Sequence, residues 1–152
     1  SLIASCTACG ARSVSTDQKL IDDFRTIGQK VGIAFQIKDD LLDYERSGTI
    51  GKPAGNDIKE KKVTLPLIYA LNNADEEEKK NIKKIFGRST KNGREVNRII
   101  EFVRKHHGLE YARNRMHEFK DEAIAMLHQY ANNSSAYDAL KELVEFTVER
   151  NK

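Results

Sequence analysis

The longest helical pattern in the sequence covers residues 17–44, which read DQKLIDDFRTIGQKVGIAFQIKDDLLDY. Apolar side chains recur there at helical spacing, but they occupy much more of the helix surface than a single stripe. Its apolar positions are Leu20, Ile21, Phe24, Ile27, Val31, Ala34, Phe35, Leu41 and Leu42. Because apolar surface is unfavourable in water, such a helix is covered by neighbours on most sides. The segment therefore predicts a long central helix in an all-α domain.

One face of this helix differs from the others in being polar. On a helical wheel, its residues fall within an arc of about 100°. They are Arg25, Gln29, Gly32, Gln36, Asp39, Asp40 and Asp43. Burying several carboxylates without partners costs several kcal/mol each, so we expect this face to line a cavity.

Asp39, Asp40 and Asp43, called the three aspartates below, form the acidic end of that face. Asp39 and Asp43 are one helical turn apart, and like charges at this spacing repel each other unless a cation lies between them. Mg²⁺ prefers hard oxygen ligands, usually one or two carboxylates together with water and substrate phosphates. The pattern therefore predicts that the three aspartates hold Mg²⁺ and a diphosphate.

A plainer interpretation of the three aspartates stays open at this point, because DDxxD is short and common and also fits a solvated helix face. Two neighbouring features favour a ligand site. Gly32 removes bulk from the same face, which would let a ligand approach closely. Residues 46–62 then form a predicted loop with several cations, although ordinary surface charge explains two of them, Lys59 and Lys61, equally well. The loop lysines are Lys52, Lys59, Lys61 and Lys62.

The rest of the chain also has helical patterns. Residues 1–12 are typical of the end of a helix that stops near Gly10, and glycines with a proline predict the loop at residues 46–62. Further helices are predicted at residues 63–71, 76–86, 95–105, 109–130 and 136–150. No segment has a convincing strand pattern, and the later links are short. The sequence therefore predicts a single helical domain over residues 1–152 with antiparallel neighbours.

Composition argues against several classes of protein. The 26 basic and 23 acidic side chains leave a net charge of only +3, which is too mild to indicate nucleic-acid binding. No apolar run reaches about 18 residues, so no transmembrane segment is predicted and a cytoplasmic protein is expected. Cys6 and Cys9 form a CxxC, but a zinc site needs two more ligands, so we interpret them as small packing residues. Ser1 stands inside a helical pattern, from which we expect a cut chain.

Two longer strings carry a resemblance to a known family. They are GQKVGIAFQIKDDLLDY at residues 28–44 and GKPAGNDIKEKKVTLPLIYAL at residues 51–71. In motif order and spacing, they closely resemble the trans-prenyl diphosphate synthases. The matching residues are Phe35 and Gln36, the three aspartates, Gly51, Lys52, Gly55 and Asp57 of a GKxxGxD segment, and Lys62 before TLPLI. The chain departs from many relatives at Lys61, where they carry glycine.

The resemblance implies both a fold and an activity. The fold is an isoprenoid-synthase-type bundle of antiparallel helices, of which this chain would be the C-terminal half. The activity is a Mg²⁺-dependent condensation of isopentenyl diphosphate with an allylic diphosphate, carried out by a protein that is mostly homodimeric in the family. Residues 101–152 resemble long-chain members such as octaprenyl diphosphate synthases, although they do not determine the product length. The family's first aspartate-rich motif and a Lys-Thr pair would precede Ser1, so we expect the 152-residue chain to be inactive by itself.

Roles for individual side chains also follow from the resemblance. The three aspartates would hold Mg²⁺, with Asp40 as a support or a further ligand. The amide oxygen of Gln36 would stabilise the allylic cation or orient the substrate. Phe35 would face the hydrocarbon chain, with simple core packing as its alternative. Lys52 and Lys62 would contact the departing diphosphate.

Two other functions stay open. A terpene cyclase would share the fold and the metal chemistry, but cyclases generally show an Asn/Ser/Glu pattern at this site instead of three aspartates. A non-catalytic helical subunit of a heteromeric prenyltransferase would be expected to have lost ligands. Here the three aspartates, Lys52 and Lys62 are all present, which favours the catalytic interpretation.

Overall fold

The computed structural model describes residues 1–45, 55–131 and 134–150. Within these ranges the chain forms eight α-helices and no strand, which confirms the predicted all-α class. The helices are α1 Leu2–Val14, α2 Gln18–Glu45, α3 Asn56–Lys59, α4 Leu65–Asn73, α5 Glu76–Phe86, α6 Gly93–Lys105, α7 Gly108–Ala131 and α8 Ser135–Glu149. None of the helices in these ranges combines the length and the apolar character that crossing a bilayer requires.

Local capping explains where α5 and α6 begin. The side chain of Asp75 accepts a hydrogen bond from the N–H of Glu78 at 2.8 Å, which satisfies a donor at the start of α5. Asn92 and Glu95 form a reciprocal capping box at the start of α6. These are strong sequence signals, and the predicted bounds of α5 and α6 accordingly agree with the structure to within two residues.

Three local predictions differ from the structure. Helix α1 runs through Gly10 and ends at Val14, because a single glycine at an open position weakens a helix by only about 1 kcal/mol. The predicted loop at residues 46–62 contains the one-turn helix α3 in its described part. The interpretation of Cys6 and Cys9 as packing residues is also wrong for this structure, since both thiols are exposed.

The chain divides into two compact units. The first contains Ser1–Lys38 and Asn114–Lys152, and the second contains Asp39–Arg113. Whether residues 1–152 form the predicted single domain is not tested by this division, and the single domain stays a prediction.

In the first unit, α1 lies very close to α2. Ala8 and Ala11 of α1 pack against Ile21 of α2. A Cβ placed on Gly28 would lie only 2.8 Å from the Cα of Ala4, so the approach of the two backbones requires a glycine there. A second apolar cluster joins α2 to the last two helices and consists of Ile27, Val31, Ala123, Leu127 and Val144.

The second unit is built around α6, which packs against α3, α4 and α5. Tyr44, Ile58, Leu67 and Val103 are completely buried in its core. The start of α7 is held close to α4, because the rings of Tyr69 and Tyr111 stack with centroids 4.0 Å apart. This core fixes the end of α2 and the segment around α3, which together carry most of the predicted site.

Candidate functional site

The three aspartates lie in the last two turns of α2, within the second unit. Their exposure differs sharply along the helix. Asp39 is exposed and Asp40 is half-buried, whereas Asp43 is only 7% exposed. The DDxxD pattern does not reveal differences in burial among the three carboxylates, but the structure places them in three different environments.

Asp43 is buried because both of its carboxylate oxygens accept backbone hydrogen bonds. The N–H of Asn56 donates to its Oδ1 and the N–H of Asp57 to its Oδ2, each at 3.0 Å. The N–H of Gly55 also donates to the carbonyl oxygen of Asp43 at 3.0 Å. Charge-assisted bonds of this kind compensate for the loss of water around a carboxylate. Asp43 therefore joins the end of α2 to the start of α3.

Gly55 explains the glycine of the GKxxGxD segment. Its φ of 78° lies in the left-handed region that glycine adopts without steric strain. A Cβ at this position would also collide with Cγ1 of Val96 in α6. The glycine lets the chain turn into α3 directly beneath Asp43.

A second link between α2 and the same segment is a buried pair of hydroxyl groups. The side-chain oxygens of Tyr44 and Thr64 are 2.7 Å apart, and both residues are almost completely buried. Burial raises the pKa of the Tyr44 hydroxyl well above its usual range, so the phenol stays neutral and available for the hydrogen bond. Neither residue received a role from the sequence. The only signal was their position directly after DDLLD and directly before LP.

Lys62 lies on this segment and is itself held by carboxylates. Its Nζ is 2.9 Å from Oε2 of Glu60 and 3.1 Å from Oδ1 of Asp57. Both bonds raise the pKa of the Lys62 ammonium, and the bond to Glu60 has the larger effect. Lys62 is therefore charged. Its side chain is also 60% exposed, so its ammonium is accessible to an anion. Of the other loop lysines, Lys59 is half-buried and Lys61 is exposed, and Lys52 lies outside the described residues.

Phe35 and Gln36 belong to the first unit. Gln36 is exposed, while Phe35 is half-buried with the guanidinium carbon of Arg150 only 4.0 Å from its ring centroid. This contact is a cation–π interaction near the end of α8, which the sequence did not predict. Gly32 has a packing role, since a Cβ there would lie 2.8 Å from Oγ of Ser1. Its nearest neighbour is thus Ser1, the N-cap of α1, and the close approach of a ligand stays a prediction.

The oxygen donors at the end of α2 suit Mg²⁺ without forming a complete cage. Among residues 1–45, 55–131 and 134–150, no three Asp, Glu, His or Cys side chains come close enough together to hold a metal ion. Mg²⁺ does not require this, because it usually takes one or two carboxylates and completes its shell with water and phosphate. Of the three aspartates, Asp39 is the one that is exposed on the last turns of α2. Joint binding by the three aspartates stays a prediction.

Comparison with known proteins agrees with these motifs. The family model described as polyprenyl synthetase matches residues 1–103. A geranylgeranyl diphosphate synthase from Saccharolobus solfataricus is 33% identical over 99% of this chain and 46% of its own length. The octaprenyl diphosphate synthase of Escherichia coli is also 33% identical, over 98% of this chain and 45% of its own.

A solved structure with the same fold is the polyprenyl synthase from Caulobacter crescentus CB15, which was complexed with calcium and isoprenyl diphosphate. It is 31% identical, with a TM-score of 0.85 over 99% of this chain and 46% of that one. The chain thus spans less than half the length of these relatives. Since the family model covers more than half of the chain, and the described residues have the fold of these enzymes, the chain belongs to the polyprenyl synthetase family.

Proposed function

We propose that the protein carrying this chain is a trans-prenyltransferase that condenses isopentenyl diphosphate with an allylic diphosphate to make polyprenyl diphosphates. The observation that carries the proposal is the direct bonding of the acidic end of α2 to the segment that bears Lys62. Three bonds made by Asp43, together with the Tyr44–Thr64 pair, link the carboxylates of α2 to the segment that bears the charged Lys62 within one compact unit. This combination suits a diphosphate bound through a divalent cation.

The reaction requires no nucleophile from the protein. The allylic C–O bond breaks, and the departing diphosphate takes the electron pair. The double bond of isopentenyl diphosphate then attacks the allylic cation, and a proton is lost to inorganic diphosphate. Stabilising the charge of the leaving group is therefore the main demand on the protein, and one well-placed electrostatic donor is worth about 10²–10³ in rate.

Residues of this chain would meet that demand in distinct ways. Asp39, with support from Asp40 and Asp43, would hold Mg²⁺, which would supply positive charge against the departing diphosphate when bound. Lys52 and Lys62 add direct contacts to the diphosphate oxygens. In the first unit, Gln36 would turn its amide oxygen toward the allylic cation and Phe35 would border the hydrocarbon chain. These assignments rest on the family motifs and are proposals for this chain.

Some features of the protein stay predictions from the sequence. They are the homo-oligomeric state, the cytoplasmic location and the inactivity of residues 1–152 by themselves. Product length also stays open, because relatives of this chain include both geranylgeranyl and octaprenyl diphosphate synthases.

A condensation assay on the full-length protein tests the function directly. Radiolabelled isopentenyl diphosphate is supplied with an allylic primer and Mg²⁺, and we expect elongated diphosphates that disappear when EDTA is added. A protein that released cyclic hydrocarbon from the primer alone would be a terpene cyclase. A protein that elongated only after a second polypeptide was added would be the non-catalytic subunit. Either result would contradict the proposal.

A further inference from the structure

Asp57 holds both the backbone and the side chain of Lys62. Its carbonyl oxygen accepts a hydrogen bond from the N–H of Lys62 at 2.8 Å, and its Oδ1 lies 3.1 Å from the Lys62 ammonium. Asp57 belongs to the GKxxGxD segment, but the sequence alone indicated no function for it. A two-point hold of this kind restricts where the Lys62 stem can begin and where its charge can lie.

The backbone hold comes from the way α3 ends. The N–H of Lys61 donates to the carbonyl of Ile58 at 3.2 Å, and that of Lys62 donates to the carbonyl of Asp57. With Lys61 in the left-handed region at φ 58°, this pair of bonds is a Schellman motif, which turns the chain back over the last helical turn. The motif therefore brings Lys62 close to Asp57, so that its ammonium can bond to the Asp57 carboxylate.

Asp57 is in turn fixed by its surroundings. Its own N–H donates to Oδ2 of Asp43, and the next residue, Ile58, is completely buried in the core of the second unit. The Asp57 side chain is only 20% exposed. A continuous series of bonds thus leads from the Asp43 carboxylate, through Asp57, to the ammonium of Lys62.

The other partner of Lys62, Glu60, makes the hydrogen bond that raises the pKa of the lysine most, but it is far more exposed than Asp57. Glu60 is 61% exposed, and ion pairs between exposed side chains usually contribute little because both partners remain free to move in water. Asp57 and Glu60 each contribute one carboxylate, but only that of Asp57 is mostly buried and can orient the lysine. The difference provides a matched comparison on a single lysine.

We propose that Asp57 is a positioning residue that orients Lys62 for diphosphate binding, and that Asp43 fixes Asp57 for this purpose. The inference rests on the proposed function. A lysine has a long flexible stem, so a preset orientation reduces the entropy that is lost when the ammonium is ordered on a ligand. A carboxylate that acted only as a competing counter-ion would have the opposite effect, because its removal would leave Lys62 more available to an anion. The two roles predict changes of opposite sign.

Binding of inorganic pyrophosphate to the full-length protein in the presence of Mg²⁺, measured by calorimetry, separates these roles. We expect Asp57→Ala to weaken binding by about 10-fold, the usual effect of one charge-assisted hydrogen bond. Asp57→Asn keeps an acceptor oxygen and should remain within about 3-fold of wild type, since a neutral acceptor makes a weaker bond. Glu60→Ala should change the affinity by less than about 2-fold. Unchanged or tighter binding by Asp57→Ala would overturn the proposal.

A double-mutant cycle shows whether Asp57 acts through Lys62. In a Lys62→Met background, adding Asp57→Ala should change pyrophosphate affinity by less than about 2-fold, since the residue that it positions is gone. A decrease as large as in the wild-type background would mean that Asp57 is merely structural, and would overturn the proposal.

Chemical labelling supplies a readout that needs no substrate. Competitive acetylation followed by mass spectrometry reports how reactive each amine is, with Lys59 as the internal reference. We expect Asp57→Ala to raise the labelling of Lys62 about 5-fold and Glu60→Ala to raise it by less than about 2-fold, on the scale of one ion-paired hydrogen bond. Equal labelling of Lys62 in wild type and Asp57→Ala would overturn the link. A wild-type protein without condensation activity would contradict the proposed function, while the labelling would still decide whether Asp57 holds Lys62.

Discussion

At residue 61 the backbone has a φ of 58°, in the left-handed region that glycine adopts without strain, yet the side chain is lysine. Its N–H and that of Lys62 close the Schellman motif at the end of α3. In the sequence, the departure from the family's glycine is visible only as an added charge. In the structure, it is a backbone requirement that this chain meets with a less suitable residue. A glycine at this position would meet the requirement without strain.

We predict that Lys61→Gly stabilises the protein by roughly 0.5–1 kcal/mol. A side chain in the left-handed region costs about 1–2 kcal/mol, and the larger entropy of glycine in the unfolded chain offsets part of the gain. Urea denaturation measures the change in the free energy of unfolding. Lys59→Gly is the control, because glycine inside α3 should instead destabilise the protein by about 0.5–1 kcal/mol. Equal effects of the two substitutions would show that residue 61 carries no backbone strain.

We also predict that Asp39→Ala lowers the turnover of the full-length enzyme by at least about 10²-fold without loss of stability. Asp39 is exposed, so its removal leaves no cavity, whereas the charge of the departing diphosphate loses its metal support. Steady-state kinetics and thermal denaturation measure the two effects. Asp22→Ala, an exposed aspartate earlier on α2, should leave both unchanged. Wild-type rates with wild-type Mg²⁺ dependence in Asp39→Ala would remove Asp39 from the site.

At the scale of elements, the carboxylate of Asp43 joins α2 to the start of α3. We predict that Asp43→Ala destabilises the protein by about 2–3 kcal/mol in the presence of EDTA, because the N–H groups of Asn56 and Asp57 lose their acceptors. Hydrogen exchange at these two amides should become much faster than in wild type. If Asp43 served only as a metal ligand, its removal without metal would relieve repulsion and stabilise the protein slightly. A stability equal to or above that of wild type would therefore contradict the structural role.

The elements differ in how far the sequence could predict them. The bounds of α5 and α6 were accessible because Asp75, Asn92 and Glu95 are capping residues at standard positions. Helix α3 was not, since four residues are too few to show a period. The bonds made by Asp43 were also inaccessible, because DDxxD looks the same whether an aspartate faces a metal or a backbone amide. The contact between Gly32 and Ser1 was inaccessible as well, since spacing on one helix cannot reveal which residues pack against it.

For the whole molecule, the family's sequence motifs are only partly contained in this chain. Residues 1–152 correspond to less than half of the relatives' length, and they fold into two compact units that each contain part of the motif set. The second unit carries the three aspartates and Lys62, while Phe35 and Gln36 belong to the first. The described residues therefore support the diphosphate-binding part of the proposed reaction better than the part that concerns the hydrocarbon.

The first unit also exposes apolar surface, and this feature leads to a prediction about association. Leu140, Leu143 and Phe146 recur every three residues along α8, and all three are exposed, Phe146 by 65%. A run of apolar side chains on one helix is unfavourable in water and is usually covered by another surface. We therefore expect the 152-residue chain to form an oligomer in sedimentation-velocity experiments.

Substitutions on α8 test whether this surface drives the association. The double variant Leu143→Ser, Phe146→Ser should shift the sedimentation of the 152-residue chain toward the monomer, because each serine removes apolar area that would otherwise be buried between copies. Glu142→Ser changes an exposed polar residue on the same helix and should leave the oligomer intact. Circular dichroism confirms that the variants keep their helices, since Val144 and Val148, the buried residues of α8, are unchanged. A wild-type chain that stayed monomeric across the accessible concentration range would contradict the expected self-association. An oligomer that the double variant did not weaken would place the contact on another surface.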